Sequence, residues 1–195
     1  MDNKTEKKAV EEAKKNPAAF AVLFEKYYSA ILRYALHRTG NAAVADDVTS
    51  ETFFKALNKL SSFKWTGIPF SAWLYRIAGN EIIDFYRKHK RTPYSLDDPD
   101  TVYDVSDKNP SNDIENELIK VQEEVQSNQK FLKVKDALKT LSVKYQEVIV
   151  LRYLEEKKIT EIAHVLGKNE GTIKSLLSRG IQQLKRYFGS DSQPL

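Results

Sequence analysis

Cysteine is absent from the 195 residues. Disulfides, thiolate metal sites and cysteine nucleophiles are thereby excluded, and the composition fits a reducing compartment. Histidine is scarce. His37, His89 and His164 lie far apart, and none has a sequence neighbour that suggests a triad or a zinc site, so each reads as a surface or packing residue. The seven glycines are scattered. Neither GxxxxGKS/T nor GxGxxG occurs, so no loop is marked for cradling phosphates. Long apolar runs are also missing. The longest near the N-terminus, Ala18 to Phe24, is too short to span a bilayer. The opening MDNKTEKKAVEEAKKN is too polar for a signal peptide. No membrane partner, cofactor, metal site or catalytic set is expected.

Charge is plentiful and unevenly placed. Apolar residues make up 41% of the chain, enough for folded cores, and charged residues 30%, with a net charge of +4. Residues 1–91 carry net +6, residues 92–130 net −7, and residues 131–195 net +5. Two basic blocks flank an acidic one, which mildly favours an anionic partner. The acidic block opens with TPYSLDDPDTVYDVSDKNPSN, which has three prolines and no helical period. Residues 92–112 read as a linker between units at 1–91 and 113–195.

Helical signals dominate. Asn16-Pro17 is a cap followed by proline at a first helical position. Phe20, Leu23, Phe24, Tyr27, Ile31 and Ala35 then recur at three- and four-residue steps. Gly40-Asn41 ends that helix and caps the next, in which Phe53, Ala56, Leu57 and Leu60 share a face. A break from Ser61 to Pro69 precedes a third helix. Beyond the linker, Ile114, Leu118, Val121 and Val125 mark a short amphipathic helix. VIVL at 148–151 is the one strand-like run, and it is ambiguous. The expected fold is all-α: two small helical domains joined by a flexible acidic linker.

The third helix, WLYRIAGNEIIDFYRKHKR, has two faces. Leu74, Ile77, Ala78, Ile82 and Phe85 form a packing side. Arg76, Asn80, Asp84, Arg87 and Arg91 fall on another, with Lys88, His89 and Lys90 adding charge where cations also suit the helix dipole. Just before it stands FKWTGIPFSAW, with four aromatics in a Gly/Pro-containing loop. Rings beside cations are what single-stranded nucleic acid needs, since stacking contributes about 1–3 kcal/mol per base and phosphates add a salt-dependent share. Asn can read the edge of a flipped base. Phe70 and Trp73 read first as core residues, Trp65 less so.

ADDVTSETFFKAL offers Asp46, Asp47 and Glu51. Acids at a helix start suit the dipole. They also suit a basic docking partner or, more remotely, a metal, for which no further donor stands at useful spacing. KKITEIAHVLGKNEGTIKSLLSRGIQQLKRYF has the pattern of a helix–turn–helix. Thr160 can cap a helix with Ile162, Ala163 and Leu166 inward, and Gly167 suits the turn. Asn169 or Glu170 opens a second helix striped by Ile173, Leu177, Ile181 and Leu184. Lys174, Ser175, Ser178 and Arg179 point outward, where such a helix enters a major groove. Leu176 is partly exposed unless covered. On residues alone two other classes stay open: a helix–turn–helix regulator with a sensing or dimerising first half, and a nucleic-acid enzyme with a metal at Asp46, Asp47 and Glu51.

With DDVTSETFFKAL, WLYRIAGNEIIDFYRKHKR and EIAHVLGKNEGTIKSLLSRGIQQLK in this order, the chain resembles the extracytoplasmic-function group of sigma-70-family sigma factors, over about residues 18–91 and 113–188. The three stretches look like regions 2.2, 2.3–2.4 and 4.2. The resemblance implies a non-enzymatic initiation factor of bacterial cytoplasm that directs core RNA polymerase to promoters and helps melt them. It implies that Asp46, Asp47, Glu51 and Lys55 meet the polymerase clamp helices. Lys64, Trp65, Trp73, Arg76, Asn80, Arg87, Lys88 and Arg91 would bind minus-ten DNA, the loop from Lys64 to Ser71 and Asn80 capturing a flipped base. Lys168, Asn169, Glu170, Thr172, Lys174, Ser175, Ser178 and Arg179 would read the minus-thirty-five duplex. The face from Val148 to Tyr153 would meet the polymerase flap, the acidic linker would thread the polymerase's nucleic-acid channels, and an anti-sigma factor is an admissible further partner. Ser50 stands where the family often has glutamine, Ser142 where proline often follows leucine, and Leu176 where arginine is common.

Overall fold

A computed structural model describes residues 3–65, 67–89, 134 and 136–190. The linker at 92–112, the helix read around Ile114 to Val125, and Arg91 lie outside the described residues. Among these residues every regular element is helical.

The first helix, α1 (Asn3–Lys15), turns a short stripe inward: Glu6, Val10 and Ala13 are buried, Ala9 and Lys14 are half-buried, and the other described residues are exposed. Asn16 accepts the Ala18 N–H through Oδ1 at 3.1 Å, and Pro17 opens a 3₁₀ turn over Pro17–Phe20. That turn runs straight into α2 (Ala21–Thr39). Gly40 ends α2 in the left-handed conformation at φ 64°, where a Cβ would be strained. Asn41 Oδ1 then accepts the Val44 N–H at 3.1 Å and starts α3 (Ala42–Lys59). A 3₁₀ turn at Leu60–Ser62 and a loop lead to α4 (Phe70–His89).

In the second group, helical residues at 136–139 precede α5 (Val143–Ile149), which widens into a π turn over Val150–Leu154. The ambiguous VIVL run is therefore helical, and its four residues are buried. A continuous apolar run cannot by itself distinguish strand from buried helix. The hairpin follows as α6 (Ile159–Leu166) and α7 (Glu170–Ser190).

Two local expectations change. Leu57 does not share the buried face of Phe53, Ala56 and Leu60; it is 38% exposed, next to the 62% exposed Phe54. Thr160 is not the cap of α6. The cap lies two residues earlier, at Lys158, whose N–H the Glu161 carboxylate accepts at 2.8 Å, and Thr160 is exposed in the first turn.

The two groups share one apolar core. Polar side chains stitch its seam. Arg38 is buried and donates from Nε to Gln146 Oε1 (3.1 Å) and from Nη1 to the Tyr34 hydroxyl (2.8 Å), with Glu147 Oε1 3.2 Å away. Arg33 forms a two-pronged bond to the buried Glu155 carboxylate at 3.2 and 3.0 Å, and the Tyr75 hydroxyl donates to the same carboxylate at 2.9 Å. Burial would lower the Arg38 pKa, but Tyr34 and Glu147 hold it above its ordinary value. Burial, then the Glu155 charge, raises the Tyr75 phenol. At Gly79 the helix passes close to this seam: a Cβ there would stand 2.8 Å from Glu147 Oε1 and 3.3 Å from the Tyr34 hydroxyl, so a side chain would push the Glu147 carboxylate aside.

Candidate nucleic-acid interface

The site is built around the loop between α3 and α4. Its aromatic residues are graded in burial. Phe70 is fully buried and packs on Tyr27, ring centres 6.0 Å apart. Phe63 and Trp73 are half-buried, 5.0 Å apart, and each packs on Phe70 at 5.3 and 5.4 Å. Trp65 is half-buried and meets Phe63 edge-on at 6.1 Å. Phe70 is thus an anchor, and the other three form a layer of rings between core and solvent. Such a layer offers faces for stacking without dissolving the core. Gly67 carries φ 81° at the tip, a conformation other side chains rarely adopt.

Exposed cations and one exposed amide follow in the loop and along α4, Arg87 and Lys88 about 20 Å along the axis from Trp73. Lys64, Arg76, Asn80, Arg87 and Lys88 are all exposed, whereas Leu74, Ala78 and Ile82 of the same helix are buried and Ile77 and Phe85 half-buried. Arg87 has Asp84 Oδ1 2.8 Å away as an exposed partner, a contact weak enough in water to yield to a phosphate.

The acidic residues of α3 sit differently from the expectation. The helix begins at Ala42, so Asp46 lies in the second turn and the dipole reading loses most of its force. Asp46 is half-buried and accepts the Tyr28 hydroxyl at 3.2 Å. Asp47 and Glu51 are exposed. With Phe54 they follow four- and three-residue steps and share a face. Lys55 faces a neighbour in the fold: its Nζ is 2.6 Å from Glu81 Oε2 on α4 and 3.2 Å from Glu51 Oε1, and the hydrogen bond to Glu81 raises its pKa. Phe54 and Leu57 were not singled out for this surface. The signal was there, since TFFKAL holds more apolar residues than one helix face can bury.

In the hairpin, Gly167 ends α6 at φ 62°, and Asn169 Oδ1 accepts both the backbone N–H and the hydroxyl of Thr172, at 2.7 and 2.9 Å. α7 therefore starts at a fixed point. Ile173 and Leu177 are buried; Ile181, Leu184 and Leu176 are half-buried and pack on the core. Lys168, Asn169, Glu170, Lys174, Ser175, Ser178 and Arg179 are exposed, and Thr172 is half-buried. Of the face from Val148 to Tyr153, the first four residues are buried, Arg152 is half-buried and only Tyr153, 55% exposed, reaches well into solvent. The two candidate DNA surfaces lie close together: a Cβ at Gly167 would stand 3.9 Å from Arg76 Nη2.

A residue outside every expected set also touches the start of α4, where the loop ends. Glu6 of α1 is 4% exposed, and its Oε2 accepts the Phe70 N–H at 3.3 Å.

Comparison with known proteins gives matching results for both halves. Residues 23–92 match the family described as Sigma-70 region 2, and residues 131–184 match Sigma-70, region 4. The ECF RNA polymerase sigma factor BldN of Streptomyces coelicolor is 34% identical over 175 residues, covering 90% of this chain and 62% of BldN, so the chain spans less than two thirds of that relative. The ECF RNA polymerase sigma factor SigW of Bacillus subtilis is 32% identical over 191 residues, covering 93% and 96% of the two chains. RNA polymerase sigma factor YlaC of the same organism is 32% identical over 169 residues, covering 84% and 88%. Among solved structures, CnrH in complex with the cytosolic domain of CnrY has a TM-score of 0.69 at 23% identity, over 96% of this chain and 99% of that one, which speaks for a common fold.

Proposed function

Because the chain belongs to the ECF RNA polymerase sigma factors, we propose that it binds core polymerase through α3, reads promoters with two separate surfaces, and holds open the strand it melts. The observation that carries this is the half-buried ring layer of Phe63, Trp65 and Trp73, with Lys64 exposed in the same loop and Arg76, Asn80, Arg87 and Lys88 exposed along the helix that leads away from it. Unstacking a base costs a few kcal/mol. Stacking on a ring, at about 1–3 kcal/mol per base, and phosphate contacts offset that cost. Asn80 is the residue we assign to the edge of the captured base. The protein performs no chemistry of its own.

The unit spanning 1–91 carries polymerase binding and minus-ten capture, 92–112 is the linker, and 113–195 carries minus-thirty-five reading. On α3 the docking surface is Asp47 and Glu51 with Phe54 and Leu57. This combination of charge and exposed apolar area suits a basic helical partner better than acids alone. Lys168, Lys174, Ser175, Ser178 and Arg179 reach the major groove from the start of α7, the geometry of helix–turn–helix readers. The flap meets the hairpin on the Tyr153 side. The work is done in the bacterial cytoplasm, and an anti-sigma factor is a compatible third partner.

One consequence concerns the closed packing of the two groups. Minus-ten and minus-thirty-five elements lie about 25 base pairs apart, roughly 85 Å at a rise of 3.4 Å. Arg76 and Gly167 are neighbours across the seam. Both elements can be read at once only after the units part, with the linker spanning the gap.

A gel shift with and without core enzyme tests the proposal. Specific promoter binding should require core polymerase. Equally tight and specific duplex binding by the free chain would favour a helix–turn–helix regulator instead.

A further inference from the structure

Glu6 combines features that a surface helix does not require. It sits on α1, sixty-four positions before its partner in α4, and is only 4% exposed. A buried carboxylate is costly unless each oxygen is satisfied. Here both are. Oε1 is 2.7 Å from Lys26 Nζ on α2, and Oε2 accepts the N–H of Phe70, the first residue of α4. Lys26 Nζ in turn lies 4.6 Å from the Tyr27 ring centre, and Tyr27 packs on Phe70. The negative charge thus stands at the positive end of the α4 dipole.

The place of this contact matters more than its strength. The loop over residues 63–69 is tied at its front, where the Phe63 N–H donates to Leu60 O at 3.0 Å. At its back, the Ala72 N–H donates to Pro69 O at 3.0 Å, and Glu6 holds the adjoining Phe70 N–H. α1 also reaches the front of the loop, with Lys14 Nζ 6.0 Å from the Phe63 ring centre. One helix therefore braces both ends of the segment that presents Lys64 and Trp65.

We infer that Glu6 is a positioning residue for minus-ten recognition: through the Phe70 N–H it fixes where α4 begins, and with it the height of the ring layer against the DNA strand. This rests on the loop being the strand-capturing surface. Glu6 itself touches no DNA. Its loss lets the start of α4 and the loop shift together, so base selection suffers while docking through α3, on another part of the fold, does not.

The test uses full-length protein in reconstituted holoenzyme and a promoter selected by wild-type holoenzyme from a random library. A labelled non-template-strand oligonucleotide carrying its minus-ten segment is compared with a scrambled one, well below the melting temperature of every variant. Wild type, Glu6→Gln, Glu6→Ala and Asn80→Ala are measured, with core-polymerase affinity determined in parallel. Glu6→Ala should lower the preference for the selected strand about five- to tenfold with core affinity unchanged. Glu6→Gln, which keeps an acceptor for the Phe70 N–H and loses the charge facing Lys26, should fall between it and wild type. A preference unchanged in both Glu6 variants, with only the melting temperature lowered, overturns the brace. If Asn80→Ala still loses the preference in that case, only the role of Glu6 fails. If it does not, the strand-capture assignment fails as well.

Discussion

At the residue scale, the physics separates side chains that hold the fold from those left for partners. His37 belongs to the first kind. It is half-buried near the end of α2, and burial together with the charge of Arg33 lowers its pKa from 6.5 to about 4. Below pH 6.5 the unfolded chain takes up a proton that the folded chain refuses. Its contribution to stability is therefore intact above pH 6.5 and is lost as pH falls from 6.5 toward 4. On the order of 1–2 kcal/mol should be lost from this residue between pH 7 and pH 5, and denaturant titrations of wild type and His37→Gln at the two values should show it as a reduced pH dependence in the variant. Phe54 is the opposite case, and we assign it to a partner. At 62% exposed it contributes little to the fold. Phe54→Ala should leave the melting temperature within a few degrees of wild type and weaken core-polymerase binding about tenfold, measured by competition for core enzyme.

Elements in this protein are placed by their ends as much as by their stripes. The junction of α2 and α3 depends on Gly40 and on the Asn41 side chain, whose Oδ1 accepts the Val44 N–H. Asn41→Ala should cost about 1 kcal/mol by removing that cap, read as a lower denaturation midpoint at an unchanged slope. The same junction was legible in the residues, as were the stripes of α4 and α7 and the turn at Gly167, because each rests on chemistry local to a few positions. α1 was not. Its stripe of Glu6, Val10 and Ala13 is short and includes an acid, and its burial comes from elements up to sixty-four residues away. The start of α6 was misplaced for a related reason. Thr160 has good cap chemistry, but Glu161 supplies the bond that closes the first turn. Leu57 shows a third limit. Helical spacing groups residues on one side, but only packing decides where the buried arc ends.

At the scale of the whole molecule, the two groups of helices meet on a seam that joins a shared apolar core with two polar clusters. Arg38, Tyr34, Glu147 and Gln146 form one cluster, and Arg33, Tyr75 and Glu155 another. Removing one partner from a buried charged cluster costs about 3–5 kcal/mol, because the remaining charge is left unpaired. The absence of native cysteine makes the seam easy to probe. Dyes on single cysteines at the exposed Asn58 and Lys185 should give efficient energy transfer in the free chain. Transfer should fall in Glu147→Ala and fall further in wild-type holoenzyme on promoter DNA. Unchanged transfer on the promoter would mean that the two surfaces do not read their elements together.

Capture of unpaired DNA by rings and cations ahead of α4 is the claim on which the account turns, and permanganate footprinting of a promoter bound by reconstituted holoenzyme tests it most directly. Wild-type protein should make thymines in the minus-ten region reactive, and Trp65→Ala with Asn80→Ala should suppress that reactivity at least tenfold while holoenzyme assembly stays intact. Full reactivity in the doubly substituted holoenzyme would contradict it.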